Sequence, residues 1–379
     1  MKPFKTAFIF LILFTLILSA CTNEQDTVAP QDTAKAENND KSTEEKESTS
    51  SGDVSADIPE GVQEPLKIAA IMQMSIGTFS SQYVQGVKEQ VEAFGGEVQI
   101  YNADNDLSKM ATHLETAINQ GVDGILIDHG RADALESGVK EALDKGIPVV
   151  AFDSDLNLPG VTVIDQDDYS LAWSSLKTLA QDLNGEGEIV YVWVGGFAPM
   201  ERRNTIYKAF KERYPNIKEV AKFGNATANT ALDTQNQMEA ILKKYPDEGD
   251  IDAVFAPWDE FAKGVTRALE QAGRTEIKVY GIDLSDEDLQ IIQKENSPWV
   301  ATAATDPAEV GRAQVRFLYQ KAAGEETPSI YSLDPHLVKQ SELPDQTISM
   351  GEIGEYVNGW GSSDAGVSPW MKSLEEKAK

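Results

Sequence analysis

Three aspartates stand where a carboxylate can reach a ligand. Asp153 closes GIPVVAFD, Asp283 closes IKVYGID and Asp128 closes VDGILID. Each run of apolar residues reads as a parallel strand buried on both faces, with the acid at its end, on the C-terminal edge of a sheet. Open α/β sheets bind their ligands at that edge. A carboxylate held there supplies hydrogen-bond acceptors and negative charge. The segments around Asp153 and Asp283 are near copies, 130 residues apart. Their recurrence predicts two halves on one plan, with two such edges facing one another across a cleft.

Other chemistry finds little support. His113, His129 and His336 are scattered over different elements without zinc spacing, so each reads as structural or solvated. Asp104, Asp106, Ser108, Thr112 and Glu115 have the offsets of a calcium loop, but Lys109 occupies its obligatory glycine and the stretch has helical periodicity. GEGE at 185–188 precedes a strand instead of following one, which argues against a phosphate loop. There is no nucleophile elbow and no Cys/His pairing. The expectation is therefore a binding protein, with no catalytic residues, cofactor or metal.

The elements that must position the aspartates alternate regularly. Strands are predicted at 66–72, 97–102, 122–128 and 147–153, with helices at about 79–94, 107–120 and 132–145. Gly95, Gly121 and Gly146 stand just past those helices as left-handed caps. After a short strand at 161–164 and a helix at 168–183, the series repeats. Strands are expected at 188–194, 218–224, 250–256 and 277–283, and helices at 200–214, 231–244 and 259–272. A strand at 299–304, a helix from Pro307 to about Ala323 and the short segments 331–333 and 336–340 are too few for another domain. They should complete the two lobes, so the chain crosses between lobes more than once. Strand-helix alternation of this kind calls for parallel sheets covered by helices.

The N-terminus carries Lys2 and Lys5, an apolar core from Ala7 to Leu18, and Leu18-Ser19-Ala20-Cys21. The core is too short for a permanent span and fits a cleavable signal. The stretch resembles a bacterial lipobox, which implies that Cys21 is acylated and becomes the new N-terminus. Cys21 is the single cysteine, so intramolecular disulfides are excluded. Residues 21–64 are rich in Asn, Asp, Glu, Lys, Ser and Thr and read as a disordered tether. Loss of Lys2 and Lys5 with the signal leaves 31 basic against 62 acidic residues, a net charge of −31. Such a surface repels nucleic acid and anionic lipid, so membrane attachment falls to the acyl chains.

The order of elements resembles the ribose-binding type of solute-binding protein, the type 1 family of sugar ABC importers, over roughly residues 67–340. The carriers are Phe79 and Gly86, NQGVDGILID (119–128), GIPVVAFD (146–153), DAVFAPWDEFAKGVTRALEQAG (252–273), VYGID (279–283) and ATAATDPAEVG (301–311). The resemblance implies an α/β fold of two Rossmann-like (flavodoxin-like) lobes joined by three crossovers near Gln166, Thr305 and Leu333. The N-terminal lobe would hold 65–166 and 306–333, and the C-terminal lobe 167–305 and 334–379, with an extension from 341 whose role the sequence leaves open. The expected partners are a sugar or polyol, a membrane ABC permease and the membrane itself through the lipid. The protein is expected to be a monomer.

Hydroxyl recognition asks for carboxylate acceptors, Asn and Arg donors and an aromatic ring over the C–H face. By position the family implies Asp128, Asp153 and Asp283 as hydroxyl contacts and Phe79 as the stacking ring. It also points to Arg203 as the ligand arginine, with Arg202 almost equivalent, and to Asn229, Trp258 and Thr305 as further contacts. Ser154, Trp258 and Thr305 depart from the ribose-binding pattern, which expects arginine, asparagine and glutamine there, so ribose is not the expected ligand. Three carboxylates and one arginine suit a neutral polyol or an amine-bearing ligand. The other readings are a signalling receptor of the same fold and, more remotely, a surface glycosidase.

Overall fold

The computed structural model describes residues 57–379. The expected signal segment, Cys21 and residues 22–56 of the expected tether lie outside the described residues. The N-terminal lobe is built from β1 (Lys67–Met72), α1 (Gly77–Ala93), β2 (Glu97–Asn102), α2 (Leu107–Gln120), β3 (Gly124–Asp128), α3 (Ala132–Asp144), β4 (Val149–Phe152) and β5 (Val161–Asp165). The C-terminal lobe follows with α4 (Asp168–Asp182), β6 (Gly187–Val192), α5 (Ala198–Arg213), β7 (Ile217–Phe223), α6 (Thr230–Lys244), β8 (Ala253–Ala256), α7 (Asp259–Ala272), β9 (Lys278–Ile282), α8 (Asp286–Ile292) and β10 (Trp299–Ala304). The chain then returns through α9 (Pro307–Ala322) and β11 (Ile330–Ser332) to the first lobe, and through β12 (His336–Lys339) to the second.

The two six-stranded sheets are drawn to one plan. Their orders are β11-β5-β4-β3-β1-β2 and β12-β10-β9-β8-β6-β7, and every pair is parallel except β10 with β12. β4 and β9 therefore hold equivalent places, which is the predicted repeat in three dimensions. The central strands are buried throughout because helices cover both faces, and that explains their uninterrupted apolar runs. Gly95, Gly121 and Gly146 all have positive φ just past their helices, as the sequence predicts. Asp106, one of the calcium-like positions, caps α2 instead by accepting from the Ser108 and Lys109 N–H groups, while Asp104 pairs with Lys109.

The core of the first lobe extends beyond the sheet. α1 crosses α9 with backbones nearly touching: a Cβ at Gly86 would sit 2.0 Å from the Ala308 carbonyl oxygen, and one at Gly311 would sit 2.4 Å from that of Tyr83. Only glycine at both positions allows the approach, which fixes the helix that carries Phe79 and Tyr83.

Two expectations about boundaries are corrected. Residues 57–64, expected in the tether, are ordered, with a 3-10 turn at Glu60–Val62; Val62 is buried in the first lobe's core, an apolar contact that repays the ordering. The C-terminal extension, expected wholly on the second lobe, is divided between both. Ile348, Met350, Ile353, Val357 and Trp360 join the core of the second lobe, whereas Ala365, Trp370, Met371 and Leu374 join that of the first. The closing segment includes α10 (Trp370–Ala378), and its buried apolar stripe explains the choice of lobe. The expected crossovers fall at 166–167, 305–306 and 333–335, and residues 361–364 add a fourth.

Candidate functional site

The two C-terminal sheet edges face one another. Asp153 follows β4 and Asp283 follows β9, and both adopt left-handed backbone, with φ of 48° and 73°. Aspartate tolerates that region better than most side chains. Each also donates its N–H to the neighbouring strand's end, Asp153 to Ile164 O and Asp283 to Ala303 O, both at 2.9 Å. The two carboxylates are thus structural equivalents on opposite lobes. Asp128 ends β3 of the first lobe.

A continuous polar chain links them. Thr305 Oγ1 donates to Gln166 Oε1 at 2.6 Å, and Gln166 Nε2 donates to Asp153 Oδ2 at 3.3 Å. Arg202 Nη2 donates to Asp153 Oδ1 at 2.8 Å while its Nε reaches Asp168 Oδ2 at 2.7 Å, so one guanidinium ties the first lobe to the second. Arg203 Nε donates to the other Asp168 oxygen at 2.7 Å, and its two Nη atoms bind both oxygens of Asp283 at 3.1 Å. It also donates to the Pro257 carbonyl oxygen at 2.8 Å. Paired, fork-shaped hydrogen bonds of this kind fix orientation as well as charge. Asp128 has its own partner, His129 Nδ1 at 2.7 Å.

The charges shift one another. Burial and the facing Asp168 carboxylate push Asp153 up to about 7, against the pull of Arg202, His129 and Arg203. Burial also raises Asp283, opposed by Arg203. For His129, burial favours the neutral ring, but the Asp128 and Asp153 carboxylates outweigh it and its pKa rises above the usual histidine value.

Asp128, His129, Asp153, Gln166, Arg203 and Asp283 of this network line one cleft, about 660 Å³ of non-atom space including its mouth. Of the residues expected in the site, Phe79, Asp128, Asp153, Arg203, Trp258 and Asp283 line it. Arg202 is not in the lining and stands behind Asp153 as an interlobe tie. Thr305 is also outside the lining and acts through Gln166, which is in it. Asn229 is a correction: it is exposed at the head of α6, where its N–H donates to Thr227 Oγ1. The Thr227 hydroxyl donates to Asp233 and folds the loop back on itself, which keeps Asn229 out of the cleft. His129, expected as structural or solvated, is also corrected, since it faces the cleft between the rings of Phe152 and Phe197.

The lining also contains apolar side chains, with Met74, Ile76, Phe152, Val194, Phe197 and Met200 joining Phe79 and Trp258. Asp168 escapes sequence reasoning because it reads as the first residue of a helix, and Met74, Ile76, Val194, Phe197 and Trp258 of the apolar lining lie between elements, where no periodicity marks them. The sequence had one signal for His129, its place directly after a strand-end aspartate. Among the described residues no group of three or more His, Cys, Asp or Glu side chains is arranged to hold a metal ion.

At the mouth, the lobes meet again. Gln82 of α1 and Asp286 of α8 exchange two hydrogen bonds, Nε2 to Oδ2 at 2.7 Å and Asp286 N–H to Oε1 at 3.1 Å. Thr78 donates to Glu287 at 3.2 Å. The arrangement is a closed clamp, able to surround a small ligand with a lining that mixes hydroxyl-binding groups and apolar side chains.

Comparison with known proteins agrees with this geometry. Residues 68–326 match the periplasmic binding protein domain family. A sugar ABC transporter protein from Yersinia enterocolitica subsp. enterocolitica 8081 superposes with a TM-score of 0.82 at 35% identity, covering 86% of this chain and 99% of that one. The 5-methylthioribose transporter solute-binding protein of Thermotoga lettingae, solved with 5-methylthioribose bound, gives a TM-score of 0.79 at 41% identity, covering 82% and 99%. The xylitol-binding protein of Mycolicibacterium smegmatis is 31% identical over 222 residues, 58% of this chain; the match spans 62% of that protein's length. With its doubled sheet plan and interlobe cleft, this chain belongs to the periplasmic binding protein family, as a type 1 solute-binding protein of the sugar ABC importer kind.

Proposed function

We propose that the protein captures a neutral sugar or sugar-like polyol carrying an apolar substituent, with 5-methylthioribose as the candidate, and delivers it to a membrane ABC permease. The observation that carries this reading is the mixed lining of the cleft. Asp128, Asp153, Asp283, Gln166 and Arg203 offer hydrogen bonds, and Met74, Phe79, Phe197, Met200 and Trp258 add apolar surface that suits an apolar substituent. Each paired carboxylate still has lone pairs for ligand hydroxyls. The Thermotoga relative, solved in complex with 5-methylthioribose, supports the same reading.

Calorimetric titration with 5-methylthioribose, ribose and xylitol tests it. Burying the methylthio group contributes roughly 1.5 kcal/mol, so 5-methylthioribose should bind about tenfold more tightly than ribose. Equal affinities would remove the apolar substituent from the proposal, and heat from none of the three would remove the ligand class.

Attachment to the extracytoplasmic face of the membrane is proposed to run through acylated Cys21, on the strength of the signal architecture ahead of it. Palmitate labelling of cells should mark the protein and fail to mark Cys21→Ser. Equal labelling of both would rule the anchor out.

A further inference from the structure

The extension beyond β12 makes contacts that no part of ligand binding requires. On the second lobe, Gln293 Nε2 donates to the carbonyl oxygens of Pro344 and Gln346, its Oε1 accepts from Ile348 N–H, and Ile353 and Trp360 are buried. On the first lobe, Gln320 Nε2 donates to Ser368 Oγ, which donates in turn to Glu325, and Trp370, Met371 and Leu374 are buried against α9 and its surroundings. Two independently anchored ends are thus joined across the hinge by residues 361–364, Gly-Ser-Ser-Asp.

The joining span is short. Five Cα steps separate Trp360 from Ala365, so the two anchors can part by at most about 17 Å even with the chain fully drawn out. Arg316 of α9 shortens the free length further, because its Nη1 donates to the carbonyl oxygens of Ser363 and Ala365 at 3.3 and 3.2 Å. The span lies along the hinge, sharing a cavity lining with Thr305, Asp306, Leu333 and Asp334 of the other crossovers and with His336 at the start of β12. The extension also touches the mouth, where Met350 N–H donates to Asp286 Oδ1 at 2.8 Å while the other Asp286 oxygen accepts from Gln82 of the first lobe.

We propose that residues 341–379 form a strap that limits how far the two lobes open, with Trp360 and Trp370 as its anchors, 361–364 as its stop, and Met350 holding Asp286 ready for Gln82. A hinge of three crossovers leaves the lobes free to twist and open about the cleft. A fourth, anchored at both ends by buried indoles, removes the widest of those states. The ligand-free protein then stays near its binding-competent form, and ligand binding forfeits a smaller part of its affinity to closure.

The test lengthens the stop and leaves both anchors alone. About six Gly and Ser residues inserted between Ser362 and Ser363 add roughly 20 Å of reach. The full chain carrying Cys21→Ser has no native thiol, so spin labels at Glu115→Cys on α2 and Lys208→Cys on α5, both exposed, report the distance between the lobes. Without ligand, the insertion should shift the distance distribution and broaden it, and Trp370→Ala, which frees the first-lobe anchor, should do the same. Met350→Pro, which removes the N–H to Asp286, should broaden it less, because the stop remains. Distributions matching the parent protein in both the inserted and the Trp370→Ala proteins would overturn the proposal. The measurement uses no ligand, so its outcome stands apart from whether 5-methylthioribose is bound.

Discussion

At the scale of single residues, Asp283 has two duties. Its oxygens accept both Nη groups of Arg203, a side chain only 3% exposed, and they also face the cleft. Truncation to alanine therefore removes a ligand contact and also strips one of the two carboxylates from a buried guanidinium. Breaking a buried ion pair from one side costs roughly 3–5 kcal/mol, and the surviving Asp168 contact puts this case at the lower end. Asp283→Ala should consequently melt several degrees below the parent without any ligand present, and lose ligand affinity besides. Scanning calorimetry of the empty protein is the check. An unchanged melting temperature with weakened binding would mean that Arg203 does not depend on Asp283 and that the aspartate serves the ligand alone.

At the scale of elements, legibility followed burial and length. Strands buried on both faces, such as β3, β4, β8 and β9, announce themselves as apolar runs, and α2 and α7 match their expected limits because their apolar stripes are long enough to repeat. α8 has seven residues, too short for periodicity to show, although its first turn carries the mouth contacts Asp286 and Glu287. The site divided in the same way. Asp153 and Asp283 were readable because each ends a strand and the two strands echo one another. Asn229 was misplaced because its position was counted through a loop, whose path is set by the Thr227 hydroxyl and not by any pattern. Arg202 and Asp168 were unreadable as a pair: they lie on different helices, α5 and α4, and meet only when those helices pack side by side in the second lobe.

At the scale of the whole molecule, closure depends on how nearly the first turn of α1 can approach the second lobe. Gly77 has φ of 73°, and a Cβ there would sit 2.1 Å from Glu260 Oε1 and 2.9 Å from its carboxyl carbon. Glu260 has little room to retreat. It is paired with Lys263, an ammonium buried among Asp259, Glu287 and Asp288, and burial has already raised the pKa of Glu260. Gly77 belongs to one lobe and Glu260 to the other, so the clash exists only when the clamp is shut. The left-handed strain of an alanine, about 1–2 kcal/mol, is by contrast present in open and closed forms alike. Gly77→Ala should therefore lower the melting temperature of the empty protein modestly, but reduce affinity for 5-methylthioribose by tenfold or more, since each 1.4 kcal/mol lost from the closed form is a factor of ten. Titration beside a melting curve separates the two effects. An affinity that falls only as far as the lost stability explains would mean that the liganded lobes stop short of the contact between Gly77 and Glu260.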